Sequence, residues 1–466
     1  RYDFDWFTLV SETSRAKKLS DANFDGSFVA EAAATRGVYS LRERISADTD
    51  AITQELRLVS PPSDSPWAWL AGAYLGRYDA RFTFNESVAN TEILGQLLTT
   101  LGLPLPDPLN LTVTPEGLSV LYLRVDPLEA KEEALFGELT RKFFDNRLEF
   151  GLGGRFYQQQ LTTQGVEGGV LGPATIVLGV LGTVRGTDGG FPPKERGFSP
   201  KGSVKFQWTR DLLLYGAIAR GFQYGGRNGQ ALIPTDNVYP LTYKSSSVWS
   251  YEAGVRTDWL DKTLQLDLTG FYIDWTDIQI LQKTASGNTD YTSNAGKARS
   301  VGVEGAVRWV TPIPGLSLSN VASYIRATIQ ETYTTAEGFV IAKGDDLASA
   351  PHLQTATTLG YKLPLGSFSA GAGLTYAHIG EAFNNITHDF TIFDYGTLDA
   401  SITLGAPQWQ FAPELTFSGT NLTDERVLTG GRISGNNNPA LQGALEINRV
   451  TYNRPRAFAA RLSFRF

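Results

Sequence analysis

The sequence predicts an all-β fold of the transmembrane antiparallel β-barrel class, and three observations predict it. Short turns alternate with long loops, the segments between them run with period two, and tryptophan gathers at segment ends. Read from the C-terminus, the turns are Ala406-Pro407-Gln408, Leu363-Pro364-Leu365-Gly366, Thr311-Pro312-Ile313-Pro314-Gly315, Trp259-Leu260-Asp261-Lys262, Thr209-Arg210-Asp211 and Phe144-Asp145-Asn146. Pro61-Pro62-Ser63-Asp64-Ser65-Pro66 is a further one. The loops between them run to roughly 15 to 50 residues, far beyond the usual 2 to 6 residue connection. Bacterial barrels have this asymmetry, with short periplasmic turns and long extracellular loops.

Within the segments, Leu264, Leu266 and Leu268 alternate with Gln265, Asp267 and Thr269, and Tyr251, Ala253, Val255 and Thr257 alternate with Glu252, Gly254, Arg256 and Asp258. A soluble antiparallel sheet shares that pattern. The tryptophans separate the two cases. Trp67, Trp69, Trp208, Trp259, Trp309 and Trp409 fall beside the short turns, Trp249 and Trp275 at the opposite ends, and Trp6 is unplaced. Amphipathic indoles collect at the two membrane–water interfaces and form girdles around a barrel's apolar band.

The strand estimates are 2–12, 51–60, 67–78, 131–143, 147–161, 200–208, 212–223, 250–258, 263–276, 298–310, 316–328, 353–362, 367–378, 395–404, 409–420 and 450–466. That makes about sixteen strands, with Phe466 at the periplasmic rim. The extracellular loops would be 13–50, 79–130, 162–199, 224–249, 277–297, 329–352, 379–394 and 421–449, with a further hairpin expected around Leu118 to Val125.

Composition agrees. The 466 residues include 48 Gly, 12 % aromatics and 19 % charged side chains, which suits a barrel with a polar interior. The longest uncharged candidate for a membrane helix, Gly168 to Val184, is broken by Pro173 and glycines and falls short of about 20 residues. There is no cysteine, so neither a disulfide framework nor a thiolate metal site is available. A net charge of −7 argues against a nucleic-acid partner. The chain opens directly in strand-like sequence, Arg1 to Val10, as expected of a mature or excised segment.

Several spans carry a family resemblance. Asn421-Leu422-Thr423-Asp424 follows Leu415-Thr416-Phe417-Ser418-Gly419, and the terminal segment closes on Arg461-Leu462-Ser463-Phe464-Arg465-Phe466. Asn294-Ala295-Gly296-Lys297-Ala298-Arg299 precedes Gly302-Val303-Glu304-Gly305. Upstream lie Tyr251-Glu252-Ala253-Gly254-Val255-Arg256, Phe271-Tyr272-Ile273-Asp274-Trp275-Thr276-Asp277-Ile278-Gln279, and Gly221-Phe222 with Gly225-Gly226 and Asn228. Further up come Gln54-Glu55-Leu56-Arg57-Leu58 and Trp69-Leu70-Ala71-Gly72-Ala73-Tyr74. In this order the spans resemble TonB-dependent outer-membrane receptors, the energised importers of ferric siderophores, cobalamin and other scarce solutes. The resemblance implies a barrel of the 22-stranded type, a plug domain upstream, the TonB-ExbB-ExbD energy-transducing complex as partner and surrounding outer-membrane lipid. On that reading residues 1–466 are the C-terminal majority of a barrel domain, with the plug absent.

The residues themselves support two candidate sets. Glu252, Arg256, Glu304 and Arg308 alternate with apolar neighbours and should point into the lumen, because Arg or Lys on the lipid face at midplane costs about 2–4 kcal/mol. There they would hold a plug through charge-assisted hydrogen bonds, or simply solvate the lumen. Phe222, Tyr224, Arg227 and Arg432 are the candidate ligand contacts: rings that stack and guanidinium groups that meet an anionic or catecholate iron chelate. The same residue types also serve plain loop packing. Import of a ferric siderophore is the leading function, with a passive porin as rival and cobalamin, sugars or aromatic compounds as other solutes. No enzyme is expected: His352, His378 and His388 stand in no nucleophile motif. No resident cofactor or protein metal site is expected either, since a siderophore supplies the iron ligands itself.

Overall fold

A computed structural model describes residues 1–25, 41–62, 65–88, 119–163, 166–168, 184–185, 194–228, 239–240, 242–284, 290–388, 390–433 and 448–465. Sixteen long strands carry the architecture: β1 (Thr8–Asp25), β2 (Leu41–Val59), β3 (Trp67–Val88), β4 (Ser119–Phe143), β5 (Leu148–Thr163), β6 (Glu195–Thr209), β7 (Leu212–Gln223) and β8 (Ser246–Trp259), then β9 (Leu264–Thr276), β10 (Lys297–Val310), β11 (Leu316–Ile329), β12 (Leu353–Leu365), β13 (Phe368–Ile379), β14 (Tyr395–Gly405), β15 (Glu414–Thr420) and β16 (Ala457–Ser463). Each pairs antiparallel with the next in one continuous sheet. This is the expected all-β barrel meander, and the sixteen expected segments each overlap one of the long strands. Among the described residues β16 pairs only with β15, and β1 with β2 and with the short strand Tyr2–Asp3.

Alternate residues face opposite sides of each strand, and the pairing registers extend one face across the sheet. Leu268, Val303, Leu359, Leu374 and Ile402 lie exposed on the outer face, where hydrocarbon is their solvent. Asp267 lies on the inner face, directly opposite Arg256 on β8 and Ala306 on β10. Trp67, Trp208, Trp259 and Trp409 are exposed at the short-turn end, as a periplasmic girdle requires. Trp6 joins them just before β1, and the Arg141 guanidinium stacks 4.2 Å over the Trp67 ring.

Two short turns run through left-handed backbone, with Asp at their centre. Phe144, Asp145 and Asn146 have φ of 53°, 54° and 66°, and Leu260, Asp261 and Lys262 have 53°, 55° and 67°. Asp and Asn adopt this region more readily than most residues because a short polar side chain bonds locally. The Arg147 amide closes the first turn onto the Phe144 carbonyl at 3.1 Å, and Thr263 closes the second onto Leu260 at 3.2 Å.

Four expectations need correction. The strands β1 to β4 run on for 18, 19, 22 and 25 residues, well into the spans expected as loops 13–50 and 79–130. The hairpin expected around Leu118 to Val125 is instead the upper end of β4, paired with β3. Charged residues crowd their upper halves, so period-two reading loses them; cross-strand ion pairs hold them, such as Arg15–Asp50 at 2.8 Å and Arg77–Glu129 at 3.2 Å. The segment expected at 450–466 is split, Asn448–Tyr452 pairing with Leu428–Ile433 before β16 begins. Pro455 lies in the break, where a residue without an amide N–H suits an unpaired stretch. Finally, Trp275 is no girdle residue but packs into a buried cluster at the extracellular end.

That cluster comprises Ile278, Ile280, Ala295, Ala298, Ile329, Ile341 and Ile386, with Trp275, Tyr333 and Leu347 against it. It binds three loops together: Ala295 donates to the Ile278 carbonyl at 2.9 Å, Ile329 to Asp345 at 2.8 Å and Ser349 to Phe383 at 2.8 Å. A barrel with a polar lumen has no central core, so its buried apolar packing lies in the loops.

The topology makes a direct prediction. Because the chain has no cysteine, single Asp345→Cys and Asp261→Cys variants report their own exposure. An impermeant thiol reagent on intact cells should label the first and not the second; external labelling of Asp261→Cys would invert the orientation.

Candidate functional site

The inner face of β5 sets the vertical order of the site. From the periplasmic end, Glu149, Arg155, Tyr157 and Gln159 share that face, and their cross-strand partners on β6 are Lys205, Ser199, Gly197 and Glu195. Low in the lumen, Lys205 meets Glu149 at 2.9 Å and Lys201 meets Glu138 at 3.0 Å. Higher up, Arg155 donates to Glu132 at 2.7 Å, with its guanidinium 5.1 Å from the Tyr74 ring. Directly above lies an aromatic ledge.

The ledge is Tyr157, Phe222 and Tyr224. Tyr157 and Phe222 stack with centroids 3.6 Å apart and planes 15° from parallel, and Tyr224 meets Phe222 edge-on at 4.8 Å. Tyr157 reaches across β6 only because residue 197 is glycine; a Cβ there would collide with its ring. The Tyr224 hydroxyl is buried with no hydrogen-bond partner. Burial pushes its phenol above the ordinary value, so it remains an O–H donor.

A cleft of about 350 Å³ opens beside the ledge, lined by Gln159, Glu195, Gly225, Tyr243, Lys244 and Asp277 among others. Its wall is pinned by asparagines. Asn294 accepts the Lys244 amide at 2.8 Å and donates to the carbonyls of Lys244 and Asp277 at 3.0 and 2.9 Å. Asn228, buried, donates to the carbonyls of Pro240 and Thr292 at 2.8 and 2.7 Å and accepts the Thr292 amide at 2.7 Å. At the last loop Asn421 does the same work, donating to the carbonyls of Glu425 and Arg454 at 3.0 and 2.9 Å and accepting the Glu425 amide at 3.0 Å. Beside it, the Arg456 amide holds the Asp424 carboxyl below the usual carboxylate range. The three asparagines that carry the motif resemblance are therefore loop staples.

Of the expected ligand contacts, Phe222 and Tyr224 meet in the ledge. Arg227 and Arg432 have backbones in short ladders, opposite Thr242 and Arg449, and their side chains lie outside the described residues. The expected lumen set shares the inner face of β8 and β10. Arg256 is already committed: its Nε and Nη2 donate to Asp267 at 2.8 and 2.6 Å, and Tyr215 donates to the other oxygen at 3.0 Å. Ser250 donates to Glu252 at 2.9 Å. Glu304 and Arg308 make no ion pair among the described residues. Gly254 and Gly302 lie beneath the rings of Tyr215 and Phe271, where a Cβ would collide. Sequence reading missed Tyr157, Gln159, Glu195, Lys244 and Asp277. Glu195 falls in the span expected as a loop, and nothing local to Tyr157 announces a partner on β7.

Comparison with known proteins decides the family. The family model "TonB dependent receptor-like, beta-barrel" matches residues 1–422. The chain belongs to this receptor family. It is 27 % identical over 239 residues to the pesticin receptors of Yersinia enterocolitica and of Yersinia pestis. That alignment covers 50 % of this chain and 32 % of the relative, so the chain matches about a third of those proteins. The fold is similar to the ferric yersiniabactin uptake receptor FyuA of Yersinia pestis, with a TM-score of 0.69 at 19 % identity, covering 98 % of this chain and 58 % of that one. It is likewise similar to the siderophore receptor PiuA of Acinetobacter baumannii, with a TM-score of 0.64 at 15 % identity over 99 % of this chain and 62 % of that one. TonB-dependent receptor barrels reside in the outer membrane of Gram-negative bacteria and are receptors rather than enzymes.

The staples give a testable expectation. Asn228→Ala removes three hydrogen bonds worth about 1 kcal/mol each, so amide exchange at Tyr243, Lys244 and Thr292 should quicken by about tenfold or more. Unchanged exchange there would mean that Asn228 does not hold the wall.

Proposed function

We propose that the protein forms the barrel of an energy-coupled outer-membrane importer that takes a ferric siderophore at its extracellular loops. The observation that carries this reading is the aromatic ledge and cleft at the outer mouth of an ion-paired lumen. Stacked rings in a partly desolvated cleft favour a flat or ring-bearing solute; a non-selective pore has no need of them. The named functions of the FyuA and PiuA receptors, uptake of ferric yersiniabactin and reception of a siderophore, support the same solute class.

In the whole receptor, further strands join β16 to β1 and complete the 22-stranded barrel, which removes edges that lipid does not tolerate. An upstream plug domain fills the lumen. With Arg256 neutralised by Asp267, the plug's polar contacts fall to Glu304 and Arg308. The TonB-ExbB-ExbD complex supplies the energy that displaces the plug. Binding is an equilibrium property of the loops, whereas passage requires work.

Radioiron-loaded chelate separates the two steps. Deleting the energy transducer should abolish uptake and leave saturable surface binding intact. Phe222→Ala should weaken that binding by about 0.5–1.5 kcal/mol, the worth of a lost aromatic pair. Uptake that persists without the transducer and rises linearly with solute concentration would mean passive diffusion and overturn the proposal.

A further inference from the structure

The cleft also constrains the charge of its ligand, an inference that rests on the importer reading. Among the described residues that line it, the charged side chains are Glu195, Lys244 and Asp277. Two carboxylates face one ammonium. Neither carboxylate has an ion-pair partner among the described residues, although cations close enough to pair elsewhere do so, as Arg155 does with Glu132. Both carboxylates accept hydrogen bonds and repel anions.

Their placement is built into the sheet. Glu195 pairs with Gln159, one step above the Tyr157–Gly197 pair on the same face, so its carboxylate stands roughly 7 Å above the ledge. Asp277 follows β9 with a left-handed φ of 53°, and its carbonyl accepts a hydrogen bond from the Asn294 staple. Gln279 anchors the opposite side, donating to the carbonyls of Tyr224 at 2.8 Å and Lys244 at 2.9 Å. The ledge, the carboxylates and the single ammonium thus stand on one rigid rim. The Tyr224 hydroxyl beneath them offers a hydrogen bond that nothing in the described chain accepts.

We infer that the cleft selects a neutral or zwitterionic aromatic chelate over a polyanionic one. Its ring stacks on Phe222 and Tyr157, its N–H or ammonium groups meet Glu195 and Asp277, and its one carboxylate or other acceptor meets Lys244 or Tyr224. A tris-catecholate complex of ferric iron, with three negative charges, would bring those charges against both carboxylates.

A matched pair of probes tests charge at constant shape: the neutral ferric tris(8-hydroxyquinoline) complex and its 5-sulfonated trianion, each loaded with radioiron. Binding is measured on cells displaying the full-length receptor, with surface protein quantified by antibody. The neutral complex should bind at least tenfold tighter. Glu195→Gln combined with Asp277→Asn should shrink that ratio at least threefold, while Phe222→Ala should weaken both probes alike. Equal binding of the two probes, or tighter binding of the trianion, overturns the charge assignment and leaves the importer reading standing. If neither probe binds to receptor that is present at the surface, the cleft takes no aromatic chelate of this kind and the inference falls, while the transducer deletion decides the importer reading separately.

Discussion

In hydrocarbon a backbone N–H or C=O has no water to bond, so a spanning strand must be paired along both edges. The rest of this structure depends on that constraint. It forces one uninterrupted antiparallel meander from β1 to β16 and leaves no room for a conventional core. The outward side chains are left to lipid and the inward ones to the lumen. Charged groups can therefore line the inside cheaply, and they do so as cross-strand pairs such as Lys205–Glu149 and Arg256–Asp267. The proposed recognition site is accordingly at the extracellular mouth, where strands leave the bilayer and backbone can turn and pair locally.

At that mouth the structure replaces a core with two devices. One is the isoleucine-rich cluster around Ile329, which locks three loops into a single packed body. The other is the set of asparagine staples, each using both donor and acceptor faces of its amide to tie a loop to a strand end. A buried amide with all its partners in place is more specifying than an apolar contact of the same size, because losing one partner leaves a desolvated group behind. Together they tie the loops around the ledge and cleft to the strand ends.

How much of this the sequence disclosed follows from where the physical signal is strong. The apolar alternation of β8 to β14 is legible because lipid imposes it residue by residue, and the turn at Leu260-Asp261-Lys262 is legible because of its place between two such strands. The upper halves of β1 to β4 were illegible because charged residues dominate them above the bilayer; Arg15, Asp50 and Glu129 read as loop, yet pair as strand, Glu129 with Arg77 of the expected strand 67–78. The site was half legible. Phe222 and Tyr224 stand beside a recognisable glycine motif. Tyr157 and Glu195 enter only through the β5–β6 register and the absent side chain at Gly197, which no local pattern encodes.

The central claim is that the solute is recognised on the Tyr157–Phe222 ledge, under the cleft walled by Glu195, Lys244 and Asp277. A structure of the full-length receptor with its ferric chelate bound tests this most directly. The account predicts ligand density over the two stacked rings, with a ligand atom within hydrogen-bond distance of the Tyr224 hydroxyl. Chelate density seated elsewhere at the mouth, with the ledge unchanged and bare, would contradict it.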